Sequence, residues 1–238
     1  MNESTTPAGF PTTRWSRIVC AGSSEGEEAR QALTDLCRAY WFPVYAYIRR
    51  MGHNGDEAAD LAQDYFVRLM EKGTLAAVDR GKGRFRAFLL TDLAFFLADA
   101  RARQAALRRG GGRRFVPLDA EGRYQAEPVD GLTPERVFDR AWALSLLGAV
   151  IDRLQTEQAE AGKADAFEAL KEVLTGGPRA VRYAELARRL GTTEGALQVA
   201  AHRLRKRYKA LLLEAIGETL DDSAEVEDEV RALFVALA

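Results

Sequence analysis

Tyr183-Ala-Glu-Leu-Ala-Arg-Arg-Leu-Gly-Thr-Thr-Glu-Gly-Ala-Leu-Gln-Val-Ala-Ala-His-Arg-Leu-Arg-Lys-Arg-Tyr208 has the organisation of two short helices joined by a tight turn. Leu186, Ala187 and Leu190 recur at helical spacing, and Ala187 is small where two helices would cross. Gly191 can take the left-handed conformation that closes a helix. Thr192 or Thr193 then supplies a side-chain oxygen to the free N–H groups of the next helix, whose positive end suits Glu194. Leu197, Ala201 and Leu204 face inward, which leaves Gln198, His202, Arg203, Arg205 and Lys206 on the outside, with Thr193 and Glu194 at the helix start. This pattern predicts a helix-turn-helix whose second helix carries the charge to enter a DNA major groove. A helical hairpin with a solvated basic face is the plain alternative.

The charge distribution points the same way. Net charge is only -1, but Arg101, Arg103, Arg108, Arg109, Arg113 and Arg114 cluster without an acid among them. Arg203 to Lys209 forms a second basic block, while the tail from Glu214 onward is acidic, with Asp221, Asp222, Glu225, Glu227, Asp228 and Glu229 close together. Two separated basic blocks suit a polyanionic partner. At 238 residues and 47% hydrophobic composition the chain can bury a core without staples. Cys20 and Cys37 are too few for a disulfide scaffold, and His53 and His202 stand in unrelated contexts, so no metal site is expected. No apolar run approaches the roughly 20 residues that span a bilayer, and residues 1–11 lack a signal-peptide pattern. A soluble cytoplasmic protein is expected.

Helical periodicity runs from about Glu25 to Arg108 and again from Pro134 to the end. The Gly- and Pro-rich stretch between them reads as a flexible linker. Thr133-Pro134-Glu135 is a good helix start. The fold expected is all-α, with two helical domains. The divisions are an extension 1–24, a helical bundle 25–108, a linker 109–133, a helix-turn-helix domain 134–216 and an acidic helical extension 217–238. In the bundle, Pro43 should kink or break the stripe Leu33, Leu36, Cys37, Tyr40, Val44 and Ile48. Phe138, Trp142, Leu146, Val150 and Leu154 should form a scaffold under the helix-turn-helix.

Three features of the first domain bear on chemistry. After a turn at Met51–Gly55, Asp56 is the expected cap of a helix that buries Ala58, Leu61, Ala62, Tyr65 and Leu69. Its opposite stripe, Asp56, Asp60, Gln63, Asp64 and Val67, would repel phosphates but suits a basic protein surface. A loop follows in which Lys72, Arg80, Lys82 and Arg84 are interspersed with glycines. The next helix, Phe85 to about Leu107, mixes Phe85, Phe88, Phe95 and Phe96 with Arg86, Arg101 and Arg103. Aromatics and cations together hold unpaired bases by stacking and phosphate neutralisation, although most of these rings fall at core spacing.

In order, these pieces resemble a bacterial RNA polymerase sigma factor of the extracytoplasmic-function type, in the sigma-70 family. Asp56-Glu-Ala-Ala-Asp-Leu-Ala-Gln-Asp-Tyr-Phe-Val-Arg-Leu-Met70 is similar to the region-two helix that docks on the polymerase beta-prime clamp. Gly83-Arg-Phe-Arg-Ala-Phe-Leu-Leu90 is similar to the start of the helix that contacts the minus-ten element. Tyr183 to Arg207 resembles the region-four helix-turn-helix that reads the minus-thirty-five element. The resemblance implies core-polymerase contacts (beta-prime and beta subunits) at Asp56, Asp60, Gln63 and Asp64. It implies minus-ten contacts at Lys72, Arg80, Lys82, Arg84, Arg86, Arg101 and Arg103. It implies minus-thirty-five contacts at Thr193, Glu194, Gln198, His202, Arg203, Arg205 and Lys206. No catalytic residue or cofactor is implied. Thr12-Thr-Arg-Trp-Ser16 and the acidic tail resemble a branch of the family placed near serine/threonine kinases, so a kinase or an anti-sigma factor is a further partner. The chain departs from many relatives in having Gln198 and Ala200 on the recognition helix and Phe88 where a Trp is common.

A free-standing helix-turn-helix repressor or activator with a helical sensing domain is the alternative, and it leaves the acidic stripe and the Phe/Arg helix unexplained. An enzyme is not indicated, for there is no phosphate-cradling glycine loop and no nucleophile beside a base. Val226, Val230, Leu233, Phe234 and Leu237 form an apolar stripe in the tail. That helix either completes the second domain's core or sets its acids against Arg203 to Lys209.

Overall fold

The computed structural model describes residues 27–71, 75, 85–107, 131–174, 183–217 and 226–238. These form α1 (Glu27–Arg50), α2 (Gly55–Glu71), α3 (Phe85–Leu107), α4 (Pro134–Glu160), α5 (Ala164–Leu174), α6 (Tyr183–Arg189), α7 (Glu194–Gly217) and α8 (Val226–Leu237). No strand occurs among the described residues, so the all-α class holds.

Two compact units share these helices. The first takes α1, α2, α3, α4 as far as Ser145, and α8; the second takes α4 from Leu146, with α5, α6 and α7. This division falls inside the continuous helix α4; of the expected linker only 131–133 are described. The physical reason is apolar. Phe138 is fully buried and stacks on Tyr40 with ring centroids 6.4 Å apart. Val137 and Ala141 cluster with Ala46, Phe42 and Leu132. Arg50 Nε donates to the Leu132 carbonyl at 2.7 Å. The expected stripe from Phe138 to Leu154 therefore serves two cores: Phe138 and Trp142 belong to the first unit, and Leu146, Val150 and Leu154 to the second.

Within the first unit α1 runs unbroken through Pro43. A proline forfeits one backbone hydrogen bond, and here the buried stripe on both sides of it, from Leu36 and Tyr40 to Val44 and Ile48, keeps the helix together. The turn after it places Gly52 at φ +95°, which a side chain would resist. Asn54, not Asp56, caps α2: its Oδ1 accepts from Glu57 N–H at 2.9 Å, and the Glu57 carboxylate accepts in return from Asn54 N–H at 3.4 Å. Tyr65 joins α2 to α3, donating from its hydroxyl to the Leu89 carbonyl at 3.3 Å and packing on Phe96 at 5.5 Å. Burial, and then the neighbouring Asp92 charge, push the Tyr65 phenol well above its ordinary range. Arg68 reinforces the joint by binding Asp92 at 2.8 Å while lying over the Phe96 ring at 5.4 Å.

The second unit is built on Leu146, Val150, Leu154, Phe167, Leu170, Leu211 and Ile216, all buried. Thr133 starts α4 as expected, its Oγ1 accepting from Arg136 N–H at 3.3 Å. Truncating Phe138 to Ala should cost about 3–5 kcal/mol, the range for a buried aromatic. Amide hydrogen exchange of the Phe138→Ala chain should then show protection lost in α1 and α3 while α6 and α7 keep theirs. Loss confined to α6 and α7 would contradict the assignment of Phe138 to the first unit.

Candidate functional site

Helices α6 and α7 form the expected helix-turn-helix. Gly191 has φ +63°, and Thr192 N–H reaches back to the Ala187 carbonyl at 2.9 Å, the bond that closes a helix on a left-handed residue. Of the two threonines, Thr193 is the cap, its Oγ1 accepting from Ala196 N–H at 3.2 Å. Ala187, Leu197, Ala201 and Leu204 are buried. Thr193, Glu194, Gln198, His202, Arg203, Arg205 and Lys206 are all exposed, and Gln198, His202 and Arg205 lie on one stripe at helical spacing. Gln198 rests against Glu194 at 3.5 Å, a contact weak enough to yield to a base edge.

On α2, Asp56, Gln63 and Asp64 are exposed and Asp60 is half-buried. Val67 and Met70 extend this surface with apolar area, 39% and 43% exposed. On the opposite side Ala58, Ala62, Tyr65 and Leu69 are buried as expected, but Leu61 is only half-buried and Phe66 is inside, stacked on Trp41 at 5.9 Å.

Helix α3 sorts its phenylalanines. Phe85 and Phe96 are buried and Phe88 is half-buried, whereas Phe95 is 66% exposed. Arg101 and Arg103 are exposed further along the same helix. Lys72, Arg80, Lys82 and Arg84 lie outside the described residues, as do Arg108 to Arg114.

Residues 36–106 match the family model for sigma-70 region 2. This chain carries a sigma-70 region 2 domain. Comparison with curated proteins and with solved structures gives no match. The matched segment spans most of α1, all of α2 and nearly all of α3. The match covers 71 of the 238 residues and supports a sigma-70 family sigma factor, a protein that acts with RNA polymerase in promoter recognition. Among the described residues no helix is long and apolar enough to cross a membrane, and no cluster of His, Cys, Asp or Glu is arranged to hold a metal. Cys37, in α1, is half-buried, and burial pushes its thiol up to about 11, far from nucleophilic use.

One expected DNA contact of the region 2 domain is placed otherwise. The Arg86 side chain is 11% exposed, with both terminal nitrogens on the Glu229 carboxylate of α8, Nε 3.6 Å from Asp139, and its plane over the Trp142 ring at 4.4 Å. Arg86 is thus a packing position in this arrangement, not open surface. Glu229 escaped sequence reading because it looked like one more member of an acidic cluster. Its place one helical turn before Leu233, on the same face, was the available signal. Phe234, expected on the apolar face of the tail, is instead 63% exposed, while Glu229 and Leu233 are the buried residues of α8. Helix α8 belongs to the first unit, not to the second; Asp221, Asp222 and Glu225 of the tail lie outside the described residues.

In the second unit Glu157 braces α7 from α4. Arg207 Nε and Nη2 donate to its carboxylate at 2.7 and 2.6 Å, and Arg153 Nη2 holds Glu214 at 3.1 Å. The hydrogen bonds from Arg207 keep the Glu157 carboxyl below its ordinary value of 4.5. A depressed carboxylate stabilises the fold above its unfolded pKa, and that stability is lost as pH falls through the folded one. Glu157→Gln should therefore destabilise the second unit modestly at neutral pH, since the pair is partly exposed. The difference from wild type should vanish as pH drops below 4.5, read by chemical denaturation monitored on α7. A deficit that persists unchanged in acid would show that packing, not charge, carries the contact.

Proposed function

We propose that this chain is a dissociable promoter-specificity subunit of RNA polymerase, of the extracytoplasmic-function type. It docks on core polymerase through the α2 face, reads duplex promoter DNA with α7, and helps open the duplex beside α3. The observation that carries the reading is the presence, in one chain, of a sigma-70 region 2 domain and a helix-turn-helix whose outward stripe is open. The two readers need opposite surfaces. Asp56, Asp60, Gln63 and Asp64 suit a basic protein partner, whereas His202, Arg203, Arg205 and Lys206 suit phosphates and base edges.

On α7, Gln198 is the side chain able to form paired hydrogen bonds with an adenine edge in the major groove, while Arg203, Arg205 and Lys206 supply phosphate contacts that set register. On α3, Phe95 has the exposed ring that can stack on an unpaired base, and Arg101 and Arg103 lie along the same helix to follow the strand. An extruded base loses a few kcal/mol of stacking, which a ring of this kind returns in part. The chain performs no covalent chemistry in this role; nucleotide transfer belongs to the core enzyme.

Co-purification with core RNA polymerase tests the docking surface. Wild type should be retained, and Asp60→Arg/Asp64→Arg should not, with helicity unchanged by circular dichroism. Wild type that ignores core polymerase yet binds duplex DNA tightly alone would instead mark a free-standing regulator. For base reading, Gln198→Ala should cost about 1–3 kcal/mol at one base pair of a selected site and leave affinity for other sequences nearly unchanged. Phe95→Ala should spare closed-complex binding and reduce the fraction of open promoter detected by permanganate footprinting.

A further inference from the structure

Helix α8 lies outside the segment that matches sigma-70 region 2, yet it belongs to the same compact unit. Of its 12 residues, Glu229 and Leu233 are the buried ones, Val226, Val230, Ala232, Ala236 and Leu237 are half-buried, and Phe234 and Val235 stand 63% and 66% exposed. What it covers is a cation already aimed. Asp139 at Nε and the Trp142 face fix the plane of the Arg86 guanidinium from α4, so that the two terminal nitrogens form a fork, and the fork is filled by the Glu229 carboxylate.

A carboxylate and a phosphate offer an arginine fork the same pair of acceptor oxygens. We propose that α8 is a displaceable strap over a phosphate-binding position, in which Glu229 occupies the Arg86 donors that a DNA strand phosphate takes once the strap lifts. The proposal rests on the reading of α3 as the DNA-facing helix of region 2. It adds that the free chain holds this helix partly closed. Lifting α8 leaves Asp139 and Trp142 in place, so the guanidinium remains oriented and only its fork changes partner. Lifting α8 also uncovers the guanidinium, which keeps Asp139 at Nε and presents its vacated fork to a strand phosphate.

The test uses the full chain and a fluorescent single-stranded oligonucleotide of random sequence, because a phosphate contact needs no particular base. Glu229→Gln keeps the shape of the side chain and removes its charge. It should tighten binding about tenfold and steepen the dependence of log K on log salt by about 0.7, the increment for one further phosphate on a single strand. Arg86→Gln/Glu229→Gln should return both quantities to wild-type values. A folded Glu229→Gln chain with unchanged affinity and slope overturns the strap. Should Glu229→Gln fail to fold, Leu233→Ala, which loosens the apolar anchor and leaves both charges, must show the same gain. Failure of both variants to fold makes α8 an integral wall and likewise overturns the proposal. Co-purification of the wild-type chain with core polymerase is scored in parallel. A chain that misses the polymerase but shows the Glu229→Gln gain refutes the sigma-factor reading, whereas one that binds polymerase without the gain refutes only the strap.

Discussion

The Tyr40 ring is the contact on which the first unit turns. It is 2% exposed, meets Phe85 edge-on at 5.5 Å and stacks on Phe138 at 6.4 Å, so one side chain of α1 touches both α3 and α4. Aromatic pairs of this kind add about 0.5–1.5 kcal/mol to the burial of their area. Phe85 and Phe138 in turn determine where their sequence neighbours go. Arg86 follows Phe85 directly, and Asp139 follows Phe138, so burying the two rings brings a cation and an acid to adjoining positions on α3 and α4. Trp142, one helical turn beyond Phe138, then lies under the guanidinium.

A second joint, Tyr65 with Arg68 against Asp92 and Phe96, holds α2 to α3 and has a consequence for surface chemistry. With Tyr65 and Leu69 inward, the helical period leaves Asp56, Gln63, Asp64 and Val67 outward as one continuous stripe. With Phe96 inward, its neighbour Phe95 is turned to solvent. The acidic face and the open ring are therefore products of the same packing, and neither is free to drift while the joint is made. In the second unit the Schellman-type closure at Gly191 and the Thr193 cap do comparable work, setting the angle at which the α7 stripe is presented.

Much of this was legible from residue order. Helical period located the helices, Thr133-Pro134 marked the start of α4, and Gly191 with the following threonines marked the turn. Period also placed every expected α7 contact on the exposed side. Where local reading failed, a distant partner had the stronger claim. Pro43 breaks helices in isolation but is overruled by a stripe buried on both sides of it. Asp56 has the chemistry of a cap, yet Asn54 and Glu57 form the reciprocal pair two residues earlier. Phe138 and Trp142 have the right spacing for the second unit, and spacing cannot say which core a ring enters.

By itself the sequence determined the all-α class, the helix-turn-helix, the acidic stripe on α2 and the basic one on α7, because these depend on period, caps and local charge. Tertiary structure alone decided that α4 is shared between two units, that Phe95 and not Phe96 meets solvent, and that Arg86 faces Glu229 rather than open water. The physical reason is separation along the chain. Arg86 and Glu229 are 143 residues apart, and no local rule of propensity or spacing distinguishes a buried acid from its exposed neighbours until the helices have packed.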